Sequence, residues 1–141
     1  MKHRPADVAL AVKRLQYRHH RALNHALAPL GLSLVQWDTL RHLHRQPDAS
    51  LHDLAVLTFQ TDQSFGSLAT RMAGRGLIER VPGPGRAVRH RLTKEGARLR
   101  AAGQDAVDAV FESSFRALPA DELDQLGELL DAALGPDPTA W

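Results

Sequence analysis

The stretch that decides the fold runs from Leu51 to Leu92 and reads LHDLAVLTFQTDQSFGSLATRMAGRGLIERVPGPGRAVRHRL. Its first half predicts a short helix, a turn and a second, amphipathic helix. Two basic strands, 77–81 and 86–92, are predicted to follow, joined by a Pro/Gly turn at 82–85. One face of the second helix carries the apolar residues Phe65, Leu68, Ala69 and Met72.

This order of elements is that of a winged helix-turn-helix. In such a fold one helix enters a DNA groove and a basic hairpin reaches the phosphates beside it. The predicted fold class is therefore mainly α with a small β-hairpin wing. The winged helix-turn-helix would occupy residues 31–92, which form the predicted DNA-binding region.

Helices are predicted on both sides of this region. Apolar residues recur at spacings of three and four over 6–30, and similar patterns over 94–117 and after Pro119 predict two more helices. A helix from 34 to about 45 follows from the capping-box form of residues 33–36. Gly76 suits the left-handed residue that closes a helix before a strand. The predicted N-caps are Ser33, Ser50, Thr61 or Asp62, and Thr93.

The flanking helices carry more apolar surface than the compact middle region can cover. We therefore expect residues 1–30 and 93–141 to form a helical dimerisation region with a second copy of the chain, intertwined with the winged helix as one domain. A homodimer would read two half-sites about one helical turn apart. The expected DNA partner is a double-stranded, pseudo-palindromic operator.

Composition excludes several classes of site. The 141 residues include no cysteine, which rules out disulfides, thiolate zinc sites, cysteine nucleophiles and thiol redox switches. No run approaches the ~20 apolar residues of a membrane span, and no apolar run follows the charged N-terminus. We expect one cytoplasmic domain with no membrane partner.

Charge is unevenly distributed along the chain. Residues 1–100 hold 17 Lys or Arg against 7 Asp or Glu, whereas residues 101–141 hold only Arg116 against nine acidic residues. Such asymmetry suggests a part that binds a polyanion and a part that faces away from it. The alternative is that the acidic segment is an ordinary solvated helix face.

Polar residues on the second helix and the hairpin are the candidates for DNA contact. Gln63 can make a bidentate contact to adenine, and serine can contact several base edges. Gly66 is unusual in a helix, and either close approach to DNA or a tight helix crossing would explain it. The predicted DNA-binding residues are Thr61, Gln63, Ser64, Ser67, Arg71, Arg75, Arg86, Arg89 and Arg91.

Three segments resemble MarR-type (multiple antibiotic resistance) regulators. They are GLSLVQWDTL at 31–40, GLIER at 76–80 and LTKEG at 92–96, and the order of elements agrees over nearly the whole chain. The resemblance implies a winged helix-turn-helix dimer with intertwined terminal helices. It also implies ligand-responsive control of transcription, most often repression.

The chain departs from the family pattern at the wing tip. MarR-type proteins usually carry Asp-x-Arg there, and the Asp steadies an Arg that enters the minor groove. Here Pro84 occupies the Asp position, while Arg86 keeps the Arg position. The resemblance thus implies a wing arginine without its usual partner.

The resemblance also implies a ligand site. In MarR-type proteins small, often phenolic or anionic, ligands bind between the DNA-binding lobe and the dimer helices. Aromatic stacking and charge-assisted hydrogen bonds could hold such a molecule. The alternative is that His19 and Trp37 are core residues whose polar groups are already hydrogen-bonded. The predicted ligand residues are Tyr17, His19, Trp37, Arg41 and His44.

Other functions have weaker support. Eight histidines raise the alternative of a His-rich, metal-responsive regulator, but no His-x-x-x-His pair lies on a predicted helix. We therefore predict no metal and no cofactor. No nucleophile elbow or phosphate-binding loop is present, so no catalytic residues are predicted and the chain is not expected to be an enzyme. A winged-helix protein-interaction module without DNA binding is the other alternative.

Overall fold

The computed structural model describes residues 2–83, 85 and 87–136, and within them it contains six α-helices and a two-stranded antiparallel hairpin. The pairing register joins Ile78 to Leu92 and Arg80 to His90. The predicted class, mainly α with a small hairpin, is confirmed. The elements are α1 (Pro5–Leu27), α2 (Leu34–Arg45), α3 (Leu51–Leu57), α4 (Asp62–Gly74), β1 (Ile78–Arg80), β2 (His90–Leu92), α5 (Lys94–Ser114) and α6 (Ala120–Leu134).

Local capping chemistry sets where the helices begin. Ser33 and Ser50 each form a capping box, with Gln36 and Asp53 as the reciprocal partners. Thr61, rather than Asp62, caps α4, because its hydroxyl accepts the Ser64 N–H at 3.0 Å. The predicted cap at Thr93 is also present and accepts the Gly96 N–H.

Three boundaries differ from the predictions. The first α-helix ends at Leu27 and continues as a 3-10 turn, Ala28–Leu30, before Gly31 at a φ of 71°. The helix α5 ends at Ser114 rather than at 117. Each strand has three residues; beyond them the Val81 N–H still donates to the Arg89 carbonyl oxygen at 2.9 Å, and Arg89 also forms a bridge with Ser50 at the start of α3.

One apolar core joins the winged helix to the long helices. Fully buried side chains come from α1, α2, α3, α4 and β1, and α5 adds Leu99 and Val107. The helix α1 packs most extensively on α5, which in turn packs on α2. The residues at the centre of the core are Leu27, Leu40, Leu54, Phe65, Met72 and Ile78.

Two glycines let α5 approach the winged helix closely. A Cβ at Gly96 would overlap the carbonyl oxygen of Leu77, and one at Gly103 would overlap the indole of Trp37. Trp37 is only 3% exposed, and its Nε1–H donates to the carbonyl oxygen of Arg100 at 3.1 Å. The helix α5 is thus seated directly against α2 and the residue that precedes β1.

The outer helices leave apolar side chains uncovered in a single chain. Val8 and Val12 of α1 are each 49% exposed, and Leu129 and Leu134 of α6 are 62% and 69% exposed. The helix α6 makes few contacts with the rest of the described chain. Among the helices described, none is both long and apolar enough to cross a membrane.

Replacing Gly96 with alanine should destabilise the fold, because the new methyl group meets backbone that cannot move aside easily. Overpacking of this kind costs about 1–3 kcal/mol. The free energy of unfolding in urea measures the change. The control is Gly127→Ala in α6, where an added Cβ meets nothing within 4 Å. Equal unfolding free energies for the two variants would contradict the close packing of α5.

Candidate nucleic-acid interface and adjoining cavity

The helix α4 is held as an exposed ridge by the residues beneath it. Phe65, Leu68 and Met72 are buried and fix its inner face against the core. The turn from α3 passes through Phe59, which has a φ of 59°, a left-handed conformation that is uncommon outside glycine. This tight turn presents the other face of α4 to solvent.

Five of the predicted DNA-binding residues line one groove along the outer face of α4. The groove has a volume of about 310 Å³, and all five residues are exposed. The Ser64 hydroxyl donates to Gln60 at 2.9 Å, whereas Gln63, Ser67 and Arg71 make no side-chain hydrogen bond with the described chain. These three side chains are available to an external partner. The lining residues are Thr61, Gln63, Ser64, Ser67 and Arg71.

Arg75 lies outside this groove. Its Nη1 is 3.4 Å from the Gln36 side-chain oxygen, and its Nη2 lies near Gly31. The guanidinium therefore sits over the start of α2, at the far end of α4 from Thr61. Any contact it makes with a phosphate would be separate from the groove.

The described wing arginines have partners within the chain. Arg89 donates to the carbonyl oxygen of Asp48 at 2.7 Å, and Arg91 forms an exposed ion pair with Glu79 at 2.7 Å. Both interactions leave guanidinium N–H groups free, although Glu79 offsets the charge of Arg91. The wing-tip positions Pro84 and Arg86 lie outside the described residues.

A histidine–carboxylate pair links the first turns of α3 and α4. His52 Nδ1 lies 2.8 Å from Asp62 Oδ1, and both side chains are exposed. The hydrogen bond to Asp62 and the charge of that carboxylate raise the pKa of His52, with a smaller contribution from Asp53. Sequence reasoning missed this pair, although each residue occupies the first turn of one of two consecutive helices.

Gly66 faces open space on α4. A Cβ added there would meet nothing within 4 Å in the described chain. A tight crossing between helices of one chain therefore does not explain this glycine. Close approach of DNA to Gly66 stays a prediction.

A second cavity, of about 420 Å³, lies between the winged helix and the long helices. The helices α2 and α5 each contribute four residues at positions i, i+3, i+4 and i+7, so one stripe of each helix faces the other. Trp37 and Arg41 were predicted as ligand residues, whereas Asp38, Gln104 and Asp108 were not. The lining residues are Leu23, Leu34, Trp37, Asp38, Arg41, Gln104, Val107, Asp108 and Phe111.

An ion-pair network fixes the α2 side of this cavity. Arg41 Nε donates to Asp38 Oδ1 at 2.9 Å, and its Nη2 lies 2.7 Å from the same oxygen. His42 Nε2 is 3.7 Å from Asp38 Oδ2. Burial opposes ionisation of Asp38, but the nearby side chains of His42 and Arg41, the latter as a hydrogen-bond donor, outweigh it and lower the pKa of the carboxyl group. Asp38 is therefore a charged, paired carboxylate at neutral pH.

The other predicted ligand residues lie elsewhere. Tyr17 is 60% exposed with the Arg21 guanidinium 5.9 Å from its ring centre, and His44 is exposed on α2. Neither lines the cavity between α2 and α5. The structure thus brings together Trp37 and Arg41 but does not join all five predicted residues in one cavity.

His19 is held in an aromatic setting between α1 and α5. Its Nε2 lies 2.6 Å from the Ser114 hydroxyl, and its ring packs edge-on against Phe111 and Phe115 at 5.2 and 5.3 Å. Burial, aided by the charge of Arg18, lowers the pKa of His19. It lines two neighbouring grooves along α1 rather than the α2–α5 cavity.

No metal centre is visible in the part of the chain that the structure describes. Three or more His, Asp or Glu side chains nowhere cluster there in a way that could hold a metal ion. Three of the histidines lie instead beside other partners: His52 beside Asp62, His19 beside Ser114 and His42 beside Asp38.

Comparisons with known proteins agree with this geometry. Residues 30–87 match the family model described as MarR family. The chain is 22% identical over 120 residues to the HTH-type transcriptional repressor IacR of Pseudomonas putida, a match that covers 84% of this chain and 72% of that protein.

Solved structures match over nearly the whole chain. One is a variant of MarR from E. coli complexed with operator DNA, with a TM-score of 0.83, 22% identity and coverage of 91% of this chain and 94% of that one. Another is CouR from Rhodococcus jostii RHA1 bound to p-coumaroyl-CoA, with a TM-score of 0.81, 24% identity and coverage of 92% and 93%. Residues 30–87 thus match the MarR family model, and the chain as a whole has the winged helix-turn-helix fold of these solved MarR-type structures.

Proposed function

We propose that this chain is a homodimeric, sequence-specific DNA-binding regulator of transcription, acting as a repressor that responds to a small effector. The observation that carries the proposal is the exposed polar groove of α4, in which Gln63, Ser67 and Arg71 have no partner in the described chain. A repressor among the relatives and a MarR structure with operator DNA support the same function.

In this proposal α4 lies in the major groove of double-stranded DNA. Gln63, Ser64 and Ser67 face base edges, where an amide can read adenine and a hydroxyl can read several bases. Thr61 and Arg71 contact flanking phosphates, which fix the register of the helix on the duplex. Arg75 and the wing residues Arg86, Arg89 and Arg91 would extend these phosphate contacts.

The second copy of the chain would cover the apolar faces of α1 and α6. Residues 1–30 and 93–141 would form this dimerisation region, and residues 31–92 would bind one half-site each. The two α4 helices of a symmetric dimer would then read a pseudo-palindromic operator. The site of action would be the cytoplasm, and we assign the chain no catalytic activity, metal or cofactor.

The effector would bind in the cavity between α2 and α5. CouR, which shares the fold, was solved with p-coumaroyl-CoA. The cavity joins α2 of the winged helix to α5 of the dimerisation region, so its shape depends on how these two parts are spaced. A ligand regulates only if it binds one spacing better than the other.

The test is selection of duplexes from a random library with the full chain, followed by fluorescence anisotropy on a selected duplex and a scrambled one at two salt concentrations. The proposal predicts a consensus with inverted half-sites, tighter binding of the selected duplex and a steep loss of affinity with salt. Equal binding of both duplexes would contradict sequence-specific recognition. Absence of binding at low salt would instead favour a protein-interaction module.

Replacing Gly66 with alanine should raise the unfolding free energy of the chain but lower its affinity for DNA. The new methyl group occupies open space in the free chain, so helix propensity should raise the unfolding free energy by about 0.5–1 kcal/mol. Against DNA the same methyl group should collide with the duplex and weaken binding about tenfold, or roughly 1.4 kcal/mol. Urea unfolding and anisotropy on the selected duplex measure the two effects.

Gly74→Ala, at the other end of α4, is the matched control. Its added Cβ also meets nothing within 4 Å. We expect a similar gain in helix propensity without loss of DNA affinity. If Gly66→Ala keeps full affinity, the close approach of DNA to this point of α4 is wrong.

DNA affinity should depend on pH through His52. Because Asp62 raises the pKa of His52 above its usual 6.5, the extra positive charge is present at low pH and is lost as pH rises through the raised value. Protonation offsets the Asp62 carboxylate beside the recognition groove, so lowering the pH from about 8 to 6 should strengthen binding more in the wild type than in His52→Gln. Anisotropy at constant ionic strength measures the difference, and identical pH profiles would remove His52 from the interface.

A further inference from the structure

The only cation lining the cavity between α2 and α5, within the described residues, is already engaged. Arg41 directs both its Nε and its Nη2 at Asp38, at 2.9 and 2.7 Å. The guanidinium also lies 5.9 Å from the centre of the Trp37 ring. An anionic ligand would have to compete for Arg41 with the carboxylate of Asp38, which lies one turn earlier on α2.

Asp108 places an uncompensated negative charge on the opposite wall. It accepts a hydrogen bond from the Gln104 amide at 2.8 Å, and no Lys or Arg side chain forms an ion pair with it in the described ranges. The cavity lining therefore carries two carboxylates against one guanidinium. Its net charge of −1 favours a positively charged occupant.

The cavity also offers few hydrogen-bond donors for an anion. The Trp37 N–H is held by the carbonyl oxygen of Arg100, the Gln104 amide already donates to Asp108, and Arg41 keeps only its Nη1 N–H groups for a ligand. The apolar surface left to a ligand comes mainly from the half-buried Leu34 and Phe111, against which an aromatic ring can gain burial energy. The apolar lining residues are Leu23, Leu34, Trp37, Val107 and Phe111.

We propose that this cavity binds a protonated amine with an aromatic body, with the ammonium group at Asp108 and the ring against Leu34 and Phe111. This inference rests on the proposed function, since it takes the cavity as the effector site. It adds a cationic class of ligand to the phenolic or anionic effector predicted from the sequence. The ammonium group would donate to the Asp108 carboxylate beside the one hydrogen bond that Gln104 already gives it.

Three probes of similar size and different charge test the proposal. They are 2-phenylethylammonium, 2-phenylethanol and phenylacetate, titrated into the Trp141→Phe variant so that Trp37 fluorescence alone reports the cavity. We expect the ammonium probe to bind at least about tenfold more tightly than phenylacetate, a difference of roughly 1.4 kcal/mol. Tighter binding of phenylacetate or of the neutral alcohol would overturn the proposal, as would binding of none of the three.

Two variants of Asp108 test whether this residue causes the preference for the ammonium probe. Asp108→Asn should weaken only the ammonium probe, by about threefold to fivefold, because an exposed ion pair contributes modestly. Asp108→Lys should reverse the preference in favour of phenylacetate. The control is Asp105→Asn, which removes the same charge from an exposed position of α5 outside the cavity lining. Unchanged selectivity in both Asp108 variants would also overturn the proposal.

Anisotropy of the same preparations on the selected duplex separates this inference from the proposed function. Selective DNA binding by the free protein, together with no preference for the ammonium probe, would defeat the inference and leave the regulator intact. Loss of selective DNA binding would defeat the regulator, whatever the cavity binds.

Discussion

The rest of the structure depends on the close contact between α5 and the winged helix at Gly96 and Gly103. A side chain at either position would push α5 away from the Leu77 carbonyl or from the Trp37 indole. Because the contact is that close, the long helix cannot shift without moving α2 and the base of the wing. The position of the long helices, the shape of the cavity and the orientation of α4 are thereby linked through α5.

The uneven charge along the chain matches the division between the winged helix and the outer helices. The basic first hundred residues include the whole winged helix, whereas the acidic segment forms the outer part of α5 and all of α6. A polyanion that approaches α4 therefore meets the groove of Gln63, Ser67 and Arg71. The acidic residues lie on α5 and α6, outside the winged helix. The apolar faces of α1 and α6 lie outside the winged helix, where a second copy can cover them without blocking α4.

The sequence predicted the features that depend on residues close together in the chain, such as helix caps and the polar face of α4. Ser33, Ser50 and Thr93 cap helices because capping needs only neighbours three residues away, and five groove residues of α4 follow from one helical face. The sequence predictions missed or misplaced the features that depend on contacts between residues far apart in the chain. Arg89 donates to the carbonyl oxygen of Asp48, which lies 41 residues earlier in the chain. Asp38 and Asp108 line the same cavity only because one stripe of α2 faces one stripe of α5. The predicted ligand set likewise joined residues from different faces of α1 and α2.

The central claim is that two copies of this chain place two α4 helices on one duplex. Sedimentation velocity of the full chain with a duplex selected by the protein tests it most directly. The account predicts a complex of two chains per duplex, which is lost when either half-site is scrambled, with half-site centres about 10 base pairs or a multiple apart. One chain per duplex, or two chains that bind each half-site independently, would contradict it.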